Sequence, residues 1–145
     1  MSDVLTRDLV VPHGTARTRD DAIREAGQLL VDAGAVEPAY LDAMAQREQT
    51  VSTYMGSYLA IPHGTNEAKG TIRRSAISLV RYDDELDWNG QPVRVVVGIA
   101  GVNDEHLEIL GRIALVFSDA EQVQRVLAAQ TRDELFAILE SVNSA

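Results

Sequence analysis

The sequence has 145 residues, 46% of them hydrophobic and 24% charged, which excludes a disordered chain; that length can bury roughly two-thirds of its unfolded surface in one core, predicting one domain over residues 1–145. A formal charge of −9 and a pI near 4.7 repel a phosphate backbone, and no Lys/Arg run offsets that repulsion locally, so nucleic acid is not expected as a partner. With no cysteine there is no disulfide, no thiolate metal site and no thiol nucleophile, and covalent chemistry must use another side chain.

The opening MSDVLTRDLVVPHG mixes acids and bases where an export signal needs a basic patch followed by an apolar run. No apolar stretch approaches the roughly 20 residues of a membrane span; the longest, residues 95–100, is interrupted by Gly98. These features predict a soluble, cytoplasmic protein with no direct membrane insertion.

Thr18 is a plausible N-cap, with Asp20 and Asp21 in the first turn and Ile23, Ala26, Leu30 and Ala33 at helical spacing. Gly34 ends that helix. Pro38 suits a first helical position, and Leu41, Met44 and Ala45 predict a second helix running into Gln46, Arg47 and Glu48. Residues 50–56 read as a polar, turn-like segment. Leu59, Ala60 and Ile61 then form a short strand that Pro62 should stop, which leaves His63 just past a strand end. Residues 75–82 (SAISLVRY) and 93–100 (VRVVVGIA) read as strands joined at Asn89-Gly90, the second nearly continuous in β-branched residues as a central strand would be.

Beyond Gly101, Asn103 or Asp104 can cap a mostly buried helix in which Leu107, Leu110, Ala114 and Phe117 share a face, with Ile109, Ile113 and Val116 alongside. Two capping boxes follow, Ser118 with Glu121 and Thr131 with Glu134, each opening a helix. Two helices, a cluster of strands and three helices pack best as a mixed sheet covered on both faces, an α/β/α sandwich. PHGT occurs at residues 12–15 and 62–65, but the flanks differ and the echo is read as coincidence.

Of the three histidines, His63 precedes Gly64, whose missing side chain lets another molecule approach closely. His106 falls in the first turn of a helix that follows the central strand, where unpaired N–H groups favour an anion and where open sheets gather their sites. His13 has no partner evident from the sequence and is assigned no role. Arg47 is either a solvated charge or a fork for a phosphoryl group. Imidazole suits reversible phosphoryl carriage, because a reference pKa of about 6.5 leaves a free lone pair at neutral pH. A second imidazole, an arginine and a helix N-terminus would stabilise the charge in transit, with no cofactor and no metal.

The segment REQTVSTYMGSYLAIPHGTNEAK, residues 47–69, resembles the signature of the enzyme IIA proteins of the sugar phosphotransferase system, mannitol and fructose class. The likeness continues through AGQLLVDAGAVEPAYLDAM upstream and LDWNGQPVRVVVGIAGVNDEHLEIL downstream, covering all but the first dozen residues. The resemblance implies that His63 takes a phosphoryl group from phospho-HPr and passes it to a cysteine of the IIB domain of a permease. It also implies that His106 lies beside the phosphohistidine and that Arg47 helps hold the group. DWNG and VVVGIAG look more mannitol-like than fructose-like, and the absence of cysteine fits a free-standing IIA protein. One departure is Tyr58, which stands where such proteins usually have glycine; if that position needs a positive φ, Tyr58 carries strain of roughly a kcal/mol or more. Both partners should meet a shallow apolar patch around His63 that includes exposed residues such as Tyr54, Met55 or Tyr58.

Three alternatives compete with this assignment. A hydrolase would use His63 and His106 with Asp104, Glu105 or Glu108 around a divalent metal, although no H-x-x-x-H or H-E-x-x-H spacing supports it. A nitrogen-type regulatory IIA protein would be phosphorylated but would signal to a regulator. A fructose-specific IIA would serve a different permease.

Overall fold

The computed structural model describes residues 3–143. Five strands form a mixed sheet: β1 (Val10–Val11), β2 (Tyr54–Gly56), β3 (Leu59–Ala60), β4 (Ala76–Trp88) and β5 (Gln91–Ala100), in the spatial order β1-β4-β5-β3-β2. β1 runs parallel to β4 and β3 parallel to β5, while the β4/β5 and β2/β3 pairs are antiparallel. Five helices accompany the sheet: α1 (Arg19–Asp32), α2 (Tyr40–Thr50), α3 (Glu105–Phe117), α4 (Ala120–Ala128) and α5 (Arg132–Leu139).

Helices cover both faces, because alternate strand residues point to opposite sides. Ser78 of β4 donates to Ala26 O of α1, whereas Arg81, three positions on, turns the other way and donates from Nε and Nη2 to Leu127 O of α4. The expected three-layer α/β/α sandwich is the observed architecture. Its core joins Leu30 and Met44 of the helices on one side with Val80, Val96 and Ile99 of the sheet and Ile109 and Leu135 of the later helices.

Most expected elements recur with adjusted bounds. Thr18 caps α1 by accepting from Asp21 N–H, and Thr131 caps α5 by accepting from Glu134 N–H. Asn89 and Gly90 turn the β4/β5 hairpin at φ 55° and 90°, the left-handed pair that a tight hairpin requires. β4 outruns its expected end at Tyr82 because Asp83, Asp84 and Glu85 are exposed and hide the strand's continuity. α2 begins at Tyr40 rather than Pro38: Tyr40 and Leu41 N–H donate to Glu37 and Pro38 O, so the proline lies in a lead-in turn.

Three expectations need correction. Residues 54–56, read as turn-like, form edge strand β2, whose partner β3 covers its polar sequence with ladder bonds. Asp119, not Ser118, caps α4 by accepting from Glu121 N–H, while the Ser118 hydroxyl turns back to Leu115 O. α3 is not mostly buried: Ile109, Ile113 and Phe117 face the core, but Leu107 and Leu115 are 61% and 74% exposed. Apolar residues surround most of that helix, so periodicity alone could not choose its inward face. The start of the described chain belongs to the same domain, as expected for a single core. Val4, Leu5, Leu9 and Val10 are buried, and Asn143 pairs with the backbone of Val4 and Leu5.

Candidate functional site

A short hairpin delivers His63. Gly56, Ser57 and Tyr58 turn the chain from β2 into β3 at φ 87°, 54° and 64°. The glycine-type conformation at position 58 is therefore kept by a tyrosine, which holds a strained left-handed backbone costing about 1 kcal/mol or more. Its carbonyl accepts from both Arg94 and Val95 N–H, and its ring packs on the core, which offsets that strain. After Ala60 the ladder ends at Pro62, and His63 makes an isolated parallel bridge with Ile99 while Pro62 O accepts from Ile99 N–H.

The His63 ring is half-buried, with Nδ1 2.9 Å from Ile61 O. A carbonyl can only accept, so Nδ1 carries the hydrogen and Nε2 keeps the lone pair. Burial holds the His63 imidazole below the usual histidine range, and nearby Arg47 and His106 push it further down; the Ile61 carbonyl and the Glu48 carboxylate oppose them. The ring is thus kept in its nucleophilic form.

Tyr40, at the start of α2, fixes the peptide after His63. Its hydroxyl donates to Ile99 O at 2.8 Å and accepts from Gly64 N–H at 2.8 Å. Burial pushes its phenol up, which keeps the hydroxyl hydrogen in place. Glycine is required at 64 because a Cβ there would lie 2.5 Å from the Tyr40 ring.

A cleft of about 300 Å³ opens beside the imidazole, and its walls include His63, Arg47, His106, Tyr40, Thr65 and Lys69. The three residues singled out from the sequence therefore meet in one place. Arg47, in the last turn of α2, donates from Nη1 to Val51 O at 2.8 Å, leaving its other N–H groups available. His106 is in the first turn of α3, drawn onto the end of β5 because Gly101 has no Cβ; one there would lie 2.5 Å from His106 Cβ. Its Nδ1 is buried with no hydrogen-bond partner among the described residues.

His13 does not line this cleft. Its Nδ1 is 3.1 Å from both Asp83 carboxylate oxygens and its Nε2 is 2.9 Å from Gln130 O, so both nitrogens are committed to structure. The second PHGT is chemically unlike the first. Among the described residues no three His, Asp or Glu side chains are grouped to hold a metal ion. Glu105 instead bonds the Ser75 hydroxyl, and Asp104 and Glu108 are exposed. Around the site, Met55 and Val51 are more than half exposed, whereas Tyr54 and Tyr58 lie partly buried against the core.

Tyr40 and Glu48 escape a reading of the sequence. The available signal was their spacing with Met44, at i, i+4 and i+8, which places both polar groups on the inward stripe of α2.

Residues 3–142 match the family described as phosphoenolpyruvate-dependent sugar phosphotransferase system, EIIA 2. The chain is 49% identical over 140 residues to a mannitol-specific phosphotransferase enzyme IIA component of Halalkalibacterium halodurans, covering 97% of each chain. It is 43% identical over 144 residues to the protein so named in Staphylococcus aureus, covering 99% of this chain and all of that one. The crystal structure of IIA mannitol from Escherichia coli superposes with a TM-score of 0.86 at 32% identity, covering 93% of this chain and 98% of that chain. The Escherichia coli complex of enzyme IIA with phosphorylated enzyme IIB of the mannitol system gives 0.87 at 32% identity, covering 93% and 96%. No helix of the described residues is long and apolar enough to cross a membrane. With a half-buried imidazole beside a cleft, in a chain whose residues 3–142 match the family and which these relatives match over 93–99% of its length, the chain belongs to the EIIA 2 family of the phosphoenolpyruvate-dependent sugar phosphotransferase system.

Proposed function

We propose that the chain is a cytoplasmic phosphoryl carrier that acts as one domain in a mannitol phosphotransferase system, with phospho-HPr as donor and the IIB domain of a mannitol permease as acceptor. The observation that carries the reading is His63, whose Nδ1 is tied to Ile61 O and whose Nε2 shares a cleft with Arg47 and His106. The Nε2 lone pair attacks the phosphorus, the bond to the donor breaks, and the donor leaves with its electron pair. In the second step a IIB cysteine thiolate attacks the same phosphorus, and the P–N bond returns its electrons to His63.

Arg47 and His106 stabilise the charge on the equatorial oxygens in both steps. The group moves between in-line nucleophiles, so the site needs fixed donors rather than a cofactor. Exposed Met55, Val51 and Leu107 supply apolar rim for a small, quickly released interface with either partner. The IIA names carried by the relatives at 43–49% identity favour the mannitol branch over the fructose and nitrogen-regulatory alternatives.

Incubation with phosphoenolpyruvate, enzyme I and HPr, followed by intact mass and acid treatment, tests this. The expected result is one acid-labile phosphoryl adduct on the wild-type chain and none on His63→Ala. His106→Ala should accept the group but pass it to IIB at least about tenfold more slowly. An adduct on His63→Ala equal to that on wild type overturns the assignment.

A further inference from the structure

The carbonyls that orient the phosphoryl site are themselves held by one buried acid. Glu48 follows Arg47 on α2 but points inward, where it is 3% exposed. Its Oε2 accepts from Thr53 N–H at 2.8 Å and from Trp88 Nε1–H at 3.0 Å, and its Oε1 accepts from the Thr53 hydroxyl at 2.5 Å. The Thr53 carbonyl accepts from Ile61 N–H at 3.1 Å, and Ile61 O is the acceptor for His63 Nδ1. Two residues before Thr53, Val51 O is the acceptor for Arg47 Nη1.

We propose that Glu48 is a positioning residue for phosphoryl transfer: its buried carboxylate anchors residues 51–53, so that the Val51 and Ile61 carbonyls fix the Arg47 guanidinium and the tautomer of His63. The proposal rests on the carrier function assigned above.

Burying a carboxylate without a cationic partner is costly, and an apolar side chain on the stripe with Tyr40 and Met44 would fill the space without that cost. What it could not do is accept the Thr53 N–H. Apart from Glu48, the segment is held by Val51 N–H on Arg47 O, Tyr54 N–H on the Ser52 hydroxyl and Ile61 N–H on Thr53 O, and it leads into the three-residue edge strand β2. Three donors engage the carboxylate, two of them from Thr53; it is the loss of the acceptor for Thr53 N–H that frees the carbonyls at 51 and 61 to move. Glu48 lies close enough to the imidazole for its charge to act on His63 directly. It does not line the cleft and touches no transferred group.

The test compares wild type, Glu48→Met and Trp88→Phe by nitrogen-15 NMR of the His63 ring and by the rate of phosphoryl acceptance from phospho-HPr. Wild type should hold its neutral imidazole in the Nδ1–H form. Glu48→Met, which fills the space but cannot accept the Thr53 N–H, should show a mixture of both tautomers and accept the group about tenfold more slowly or worse, through kcat rather than KM, because the docking surface is intact. Trp88→Phe removes a donor to the same carboxylate without touching residues 51–53; it should lower Tm while leaving tautomer and rate within about twofold of wild type.

A wild-type tautomer and rate in Glu48→Met overturns the proposal, and so does a change in Trp88→Phe as large as that in Glu48→Met. If Glu48→Met fails to fold, Thr53→Val, which keeps the volume and loses the hydroxyl contact, must shift the tautomer in the same direction; an unshifted ring overturns the idea. A wild-type chain that accepts no phosphoryl group would refute the carrier assignment instead, and the tautomer comparison would still decide the role of Glu48.

Discussion

Tyr40→Phe isolates the clamp behind His63, because it deletes one oxygen and leaves the ring that packs on Gly64 in place. Two hydrogen bonds of 2.8 Å are lost together. The Ile99 carbonyl loses its bond to the hydroxyl in a fully buried setting, which costs about 1–3 kcal/mol; Gly64 N–H is only partly buried and loses about 0.5–1.5 kcal/mol. The expected destabilisation is roughly 2–4 kcal/mol, a Tm drop of order 10 °C for a domain of this size. Urea denaturation should show the midpoint falling with m unchanged. Phosphoryl acceptance should fall too, since the peptide after the nucleophile is released. A loss below about 0.5 kcal/mol would refute the reasoning, because it would mean that water or a shifted backbone replaces both bonds.

Two further outcomes follow from the site's backbone and its titration. Ser57 is exposed at φ 54° in the turn before β3, so Ser57→Asn, which tolerates that conformation better, should raise stability by about 0.5 kcal/mol; an unchanged or lower urea midpoint counts against stored strain there. The pKa of His63 is lowered by folding, chiefly by burial, so the unfolded chain binds the extra proton first. Stability should therefore decline as pH falls through the unfolded value of about 6.5 and level off below the folded pKa, and His63→Gln should remove that part of the slope. For the same reason the acid limb of phosphoryl acceptance should lie below about pH 6.5; a limb above it would contradict a depressed pKa.

The parts legible in the sequence are those governed by neighbours a few residues apart. Thr18 and Thr131 cap their helices, Asn89-Gly90 turns its hairpin and Pro62 ends its strand, because each acts through its own backbone or the next turn. His63, His106 and Arg47, which line one cleft, stand out in the sequence as well, the first two from strand ends and all three from the family resemblance. Tyr58 was flagged as a strained substitution by comparison with that motif, and φ 64° bears this out.

What only the tertiary structure decided depends on partners distant in sequence. α3 is apolar on most sides, so the sheet it packs against, not its own periodicity, determines that Ile109, Ile113 and Phe117 turn inward while Leu107 and Leu115 remain exposed. β1 and β2 are too short and too polar or too close to a terminus to announce themselves, and they exist because β4 and β3 supply their ladders. Likewise Tyr40 reaches Ile99 across 59 positions and Glu48 reaches Trp88 across 40. The sequence by itself pointed to His63 as the residue suited to a phosphoryl group, and the carbonyl two residues before it sets its tautomer; the groups gathered around it needed contacts that form only when the sheet closes against α2, because a hydrogen bond between distant residues has no local signature.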